Sequence, residues 1–193
     1  MAKNKTKNKK RKLNKKRKLL PSLLVLTPLF VGLLIFAADI LTKYYVHNSI
    51  PKLNHESQWY PYYGIGVFEN FLGIEFSIVH ATNRGAAWGI LAEFQDYLLF
   101  FRILCIAGLT VYLLFFNKNR LMIFPLTFVL AGAAGNIIDY FVYGHVVDML
   151  KFVFWGYEYP VFNLADSSIF IGICSMILLS IRPCYINGKI EVS

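Results

Sequence analysis

The sequence predicts an all-α polytopic membrane protein of four transmembrane helices, with a small β element outside the membrane. Three observations predict it. Of 193 residues, 56% are hydrophobic and only 16% charged, whereas soluble domains sit near roughly 45–50% apolar and about 25% charged. Four apolar runs, about 20–38, 97–116, 121–143 and 162–181, approach the roughly 20 residues that cross about 30 Å of hydrocarbon. Basic residues are also unevenly placed. Eleven of the twenty Lys and Arg fall within Met1–Lys18, which holds no acid, leaving nine basic and eleven acidic side chains elsewhere.

The elements follow in order. Residues 1–19 form a basic tail. Beside a membrane span such a tail is expected to stay cytoplasmic and touch anionic lipid, and no nucleic-acid partner is expected. The first apolar run is longer than the core of a signal peptide, and three more follow, so it is expected to be retained. It leaves the membrane near Asp39–Lys43, and the second run returns. The loop "NKNR" then places Lys118 and Arg120 in the cytoplasm. The third run ends near Gly144, and the fourth crosses back from about Pro160. Residues 20–182 thus form one membrane domain, and 183–193 a short cytoplasmic tail.

Two segments face outward, about 44–96 and 144–161. In the longer one, "FLGIEFSIV" (71–79) has a strand-like period of two. Trp59, Tyr60, Tyr62 and Tyr63 suit an interfacial aromatic belt. Cys105, Cys174 and Cys184 are odd in number and lack a CxxC pair. They are expected to pack rather than form a disulfide or a zinc knuckle.

Ionisable residues near spans are functional candidates by default. Asp39, Asp139, Asp148 and Asp166 all fall toward the outer ends of spans one, three and four. Asn136 and Asp139 share a helical face at i,i+3, and Asn163 and Asp166 repeat that spacing. The small residues at 132–135 permit close helix approach. A hairpin of spans three and four would bring Asp148 to Asp166. Two close carboxylates share a proton, which is what acid–base hydrolysis of a peptide requires. Blander readings exist: Asn163 as a helix cap, Asp166 as a first-turn acid, Asp39–Lys43 as a structural i,i+4 pair, Asp139 as an anchor. They do not explain an Asp-plus-Asn pair repeated on two helices at one depth.

Other chemistries lack their motifs. There is no HExxH, no GxSxG, and neither Asp148 nor Asp166 sits in a GxGD. His47, His55 and His80 show no compact ligand spacing. No metal and no cofactor are expected.

Four blocks carry a family resemblance: "DILTK" at 39–43, "NRGAAWG" at 83–89, "GNIIDYFVYGHVVD" at 135–148 and "PVFNLAD" at 160–166. In this order, over roughly residues 20–182, the chain resembles the lipoprotein signal peptidases, signal peptidase II. The resemblance implies a four-helix aspartyl endopeptidase of the bacterial inner membrane, with both ends cytoplasmic and its site near the outer face. It also implies a small extracytoplasmic β-cradle and a surface helix in the first outer loop. The implied substrate is a prolipoprotein carrying diacylglycerol on its lipobox cysteine, cut just before that cysteine, without metal or nucleotide. Membrane lipids are the other expected partner, and the protein is expected to be a monomer.

Carried over block by block, the catalytic pair falls on Asp148 and Asp166. Asn83, Asn136 and Asn163 match residues lining the site, Asp139 an acid that organises it, and Asp39 and Lys43 the end of the first helix. Tyr140 stands where the family usually has arginine, and it replaces only part of that residue's donor capacity. Arg84 is a candidate to compensate. The alternative, from another class, is a non-catalytic membrane protein that binds lipoprotein precursors or relays protons or a small solute.

Overall fold

The structure is a computed structural model and describes residues 2–53, 59–85, 92–181, 184–186 and 189–191. Helix α1 (Ala2–Ser49) is followed by strands β1 (Ile65–Phe71) and β2 (Ile74–Asn83). Next come α2 (Gln95–Val111), extended by a turn over Tyr112–Phe116, and α3 (Ile123–Tyr143). Strands β3 (Val146–Phe154) and β4 (Tyr157–Glu158) precede α4 (Leu164–Ser180). A short hairpin, β5 (Cys184–Ile186) and β6 (Lys189–Glu191), ends the described chain. Residues 86–89 of the "NRGAAWG" block, and much of the stretch implied to hold a surface helix, lie outside the described residues.

Three helical stretches, Leu26–Ser49, Gln95–Phe116 and Arg120–Tyr143, are long and apolar enough to cross a membrane. The apolar α4 is shorter, at 17 residues. The first helix does not stop at Asp39–Lys43 as its charges suggest. It continues to Ser49 because those charges are buried against other helices, and Pro51 ends it by disfavouring helix at the residue before. α2 buries none of its residues and exposes Phe100, Phe101 and Leu104, as a helix against lipid should.

α3 and α4 pack most closely, and the small residues of α3 allow it. A Cβ on Gly132 would sit 2.3 Å from the Ala165 carbonyl oxygen, and one on Gly135 would sit 2.4 Å from the Asp39 carboxylate. Pro125 lies in the first turn of α3, where no intrahelical partner for an N–H exists. Gly144 ends the helix in the left-handed region at φ 74°, its N–H donating to the Tyr140 carbonyl.

The sheet is larger than the first outer segment alone implies. Its order is β1-β2-β3-β4, antiparallel throughout, so it draws strands from both segments expected to face outward. "FLGIEFSIV" is not one strand. Leu72 and Gly73, at φ 55° and 80°, turn the chain between β1 and β2. Trp155 and Gly156, at φ 49° and 84°, do the same between β3 and β4. These are two-residue hairpin turns whose backbone twist matches the flanking strands. Leu72, Trp155 and Trp59 are exposed, which suits an interfacial belt. At the other end Val46 of α1 and Ile50, the residue after it, pack on Val147 and Met149 of β3, fastening sheet to bundle.

Candidate active site

Asp148 lies on β3, not on a helix, and is 2% exposed. Asp166 lies in the first turn of α4 and is half-buried. What joins them is the strand-like segment before α4. Phe162 pairs with Leu150 through backbone bonds of 2.8 and 3.2 Å, which sets the next residue, Asn163, beside Asp148. The Asn163 amide donates to Asp148 Oδ1 at 2.7 Å, and its own Oδ1 accepts the Asp166 N–H at 2.8 Å. The Asp166 carboxylate returns a bond to the Asn163 N–H at 3.3 Å, completing a capping box. Asn163 is therefore a helix cap and a bridge between the two acids at once.

The other asparagines complete the shell. Asn83, at the end of β2, donates to Asp148 Oδ2 at 3.0 Å and accepts the Gly85 N–H through its own oxygen at 3.0 Å. Asn136 donates to Asp166 Oδ1 at 2.8 Å and accepts from Asn163 at 3.1 Å. Each amide thus gives N–H groups to carboxylate oxygens, the only role such oxygens accept when ionised. Burial, followed by the neighbouring Asp166 charge, pushes Asp148 up to about 7.

A second charged cluster sits directly behind. Lys43 Nζ lies 2.7 Å from Asp39 Oδ2 and 2.8 Å from Asp139 Oδ2, and donates to Asn136 Oδ1 at 2.9 Å. Asp39 also accepts the Ala165 N–H of α4 at 2.9 Å, and Asp139 the Val147 N–H of β3 at 3.2 Å. One fully buried ammonium thereby ties α1, α3, α4 and β3 together, and Asn136 is shared with the acid pair.

Tyr140 is placed elsewhere. Its hydroxyl donates to Asp96 at the start of α2, and it does not line the cleft beside the acids. Arg84 is exposed and lines no part of that cleft. The arginine that does is Arg102, in the middle of α2, donating to the Gly85 carbonyl at 2.9 Å. The signal was present in the sequence, since an arginine inside an apolar run is itself a flag.

The cleft has a volume of about 670 Å³. Asn83, Arg102, Asn136 and Asp166 form its polar end, and Phe152, Phe154, Phe162 and Phe170 its aromatic end. Phe152 stacks on Phe76 at 4.4 Å and on Phe162 at 5.9 Å, making a continuous apolar wall. Such a cleft can hold an extended polar backbone at one end and hydrocarbon at the other. A smaller groove of about 330 Å³ between α3 and α4 is lined by Leu121, Phe124, Phe128 and Leu178 and offers no reactive group.

The model of the Signal peptidase (SPase) II family matches residues 31–182. The lipoprotein signal peptidase of Chlamydia trachomatis serovar L2b is 36% identical over 166 residues, 84% of this chain and 93% of that protein. That of Bacillus subtilis is 34% identical over 160 residues, 82% and 94% of the two chains. That of Staphylococcus epidermidis is 39% identical over 127 residues, 64% of this chain and 74% of its own. Among solved structures, a bacterial membrane enzyme determined by the in meso method at 2.3 Å resolution aligns with a TM-score of 0.67 and 28% identity, covering 80% of this chain and 87% of that one. The apolar helices agree with these relatives in making this a multi-pass bacterial membrane protein. With the matched region containing both acids, all three asparagines and the whole four-stranded sheet, the chain belongs to the signal peptidase II family.

Proposed function

We infer that this protein removes signal peptides from diacylglyceryl-modified prolipoproteins, acting as an aspartyl endopeptidase that cuts before the lipidated cysteine. Removal of prolipoprotein signal peptides follows from the family. The aspartyl mechanism rests on one observation: two linked carboxylates, held only by asparagines and backbone, stand beside a half-polar, half-aromatic cleft.

Asp148, whose carboxyl is the more buried, carries the proton and delivers it to the scissile carbonyl oxygen. Asp166, on the cleft wall, takes a proton from the attacking water. The tetrahedral intermediate then collapses as the leaving amine is protonated. The titration belongs to the pair. Asn83, Asn136 and Asn163 hold both acids in register, and Lys43, Asp39 and Asp139 hold the asparagines. Arg102 has N–H donors left after bonding Gly85, and we assign it the substrate-carbonyl contact that Tyr140 does not make. The aromatic end takes the diacylglyceryl chains.

The chain crosses the inner membrane four times as a monomer, with both ends cytoplasmic and the site near the outer face. At about 1.5 Å per residue, α4 spans roughly 26 Å, within reach of a thin or locally indented bilayer. No observation favours a non-catalytic binding or relay role. The deciding experiment is cleavage of a diacylglyceryl prolipopeptide by purified protein. Asp148→Asn and Asp166→Asn should each abolish turnover in folded protein, and near-normal turnover by either would overturn the pair assignment.

A further inference from the structure

His47, His80 and His145 are far apart in sequence, yet their ring nitrogens meet. One nitrogen of each lies within 4.8 Å of the other two. His47 comes from the last turn of α1, His80 from β2, and His145 from the residue that opens into β3. His80 owes its orientation to a break in the strand pairing. The register between β2 and β3 shifts between Ile78 and Ala81, and such a bulge re-aims a side chain.

Three buried ring nitrogens have no hydrogen-bond partner: Nδ1 of His47, Nε2 of His80 and Nε2 of His145. A buried polar atom without a partner costs free energy, and each of these three neighbouring rings carries one. The His80 ring supplies a second sign. Its Nδ1 lies 3.0 Å from the Ile50 carbonyl oxygen, which can only accept, so Nδ1 carries the proton and Nε2 presents a lone pair. This is the usual arrangement of a metal-bound histidine, whose outer nitrogen donates to a carbonyl or carboxylate.

We propose that His47 Nδ1, His80 Nε2 and His145 Nε2 form a three-histidine site for a divalent transition ion, zinc by preference, distinct from the Asp148–Asp166 pair. Imidazole nitrogens suit zinc and its neighbours rather than magnesium or calcium. Tetrahedral zinc with bonds of about 2.0–2.1 Å holds its ligand atoms roughly 3.3 Å apart, so small ring rotations close the observed spacing. Burial, together with the nearby Lys52 charge, holds His80 and His145 below the ordinary imidazole range, and Arg84 acts on His145 in the same direction. Lys52 and Arg84 also repel a cation, which lowers affinity without removing the three lone pairs. Tyr143 packs on His47 at 4.4 Å and closes one side.

The position gives the ion a task. It would staple the end of α1 to the bulge of β2 and to the start of β3, three residues before Asp148. This structural role does not depend on the peptidase reading.

The test uses the full chain in detergent, carrying no polyhistidine tag and stripped with a chelator. Cobalt(II) titration should give the visible bands of a tetrahedral site at one ion per chain. Zinc should abolish those bands and raise the unfolding midpoint by about 5 °C. His47→Gln, His80→Gln and His145→Gln should each lose the bands and the shift, and any one variant that folds without metal suffices. The double variant Asp148→Asn/Asp166→Asn should keep both, which separates this site from the carboxylates. Absence of bands in folded wild-type protein would overturn the proposal. So would bands that survive the histidine changes or vanish with the aspartates.

Discussion

The Asp39–Lys43–Asp139 cluster and the Asp148–Asp166 pair use the same carboxyl chemistry and share Asn136, yet only one of them holds a cation. In the first, a buried lysine offsets the charge of its acids, while Asp39 Oδ1 and Asp139 Oδ2 also accept backbone N–H groups of α4 and β3. That cluster is a joint. In the second, the acids receive only amide and backbone donors, and one of them borders a cleft. Neutral donors orient a carboxylate without cancelling its charge, so the pair keeps a proton to exchange. The difference teaches that compensation, rather than burial, separates scaffold acids from chemical ones.

The largest expected effect tests that division directly. Asp148→Asn or Asp166→Asn should lower prolipopeptide turnover by at least about 10²–10⁴-fold, the usual worth of a positioned acid or base, while circular dichroism stays unchanged. Next comes the joint. Lys43→Met leaves two buried carboxylates facing each other and should cost about 3–5 kcal/mol, read as a lowered thermal midpoint. Adding Asp39→Asn and Asp139→Asn to it should recover most of that loss, because removing a whole buried ion cluster is often near neutral. No equivalent rescue is expected for the Asp148–Asp166 pair.

The pH dependence sharpens the same contrast. Asp148 is raised to about 7, above its unfolded value near 3.9. Its contribution to stability is therefore full below about pH 4 and lost as pH rises through 7. Wild-type protein should lose stability between about pH 4 and 7, and Asp148→Asn should show a flatter profile in thermal scans. Turnover should fall about tenfold per unit above pH 7 if Asp148 must carry the proton. Smaller again, Arg102→Ala should raise KM about tenfold, the worth of one charged hydrogen bond, with kcat less affected. Smallest is Tyr140→Phe, which loses only the contact to Asp96. It should leave turnover within about twofold, and a larger loss would place Tyr140 in the site after all.

Much of the fold was legible because its signals are local. Apolar runs of membrane length set α2 and α3 to within a few residues, and Gly144 marks the end of α3. The end of α1 was not legible, because whether Asp39 and Lys43 stop a helix depends on what buries them. The hairpin turn at Leu72-Gly73 was masked by apolar residues on both sides, and leucine at φ 55° gives no turn signal. Joining β3 to β2 required a pairing between segments more than sixty residues apart, which no local period encodes.

By itself the sequence determined the membrane class, the four blocks and the residue types from which acid–base chemistry can be built. Composition and i,i+3 spacing are properties of a chain before it folds. Only the tertiary structure decided that Asp148 sits on a strand, that Asn163 both caps α4 and bridges the acids, and that Lys43 serves two aspartates of the scaffold and neither of the pair. It also turned Tyr140 away, brought Arg102 to the cleft and gathered three scattered histidines. The reason is physical. A carboxylate's role depends on which charges and donors lie within a few ångströms of it, and those distances exist only once the helices and the sheet have packed.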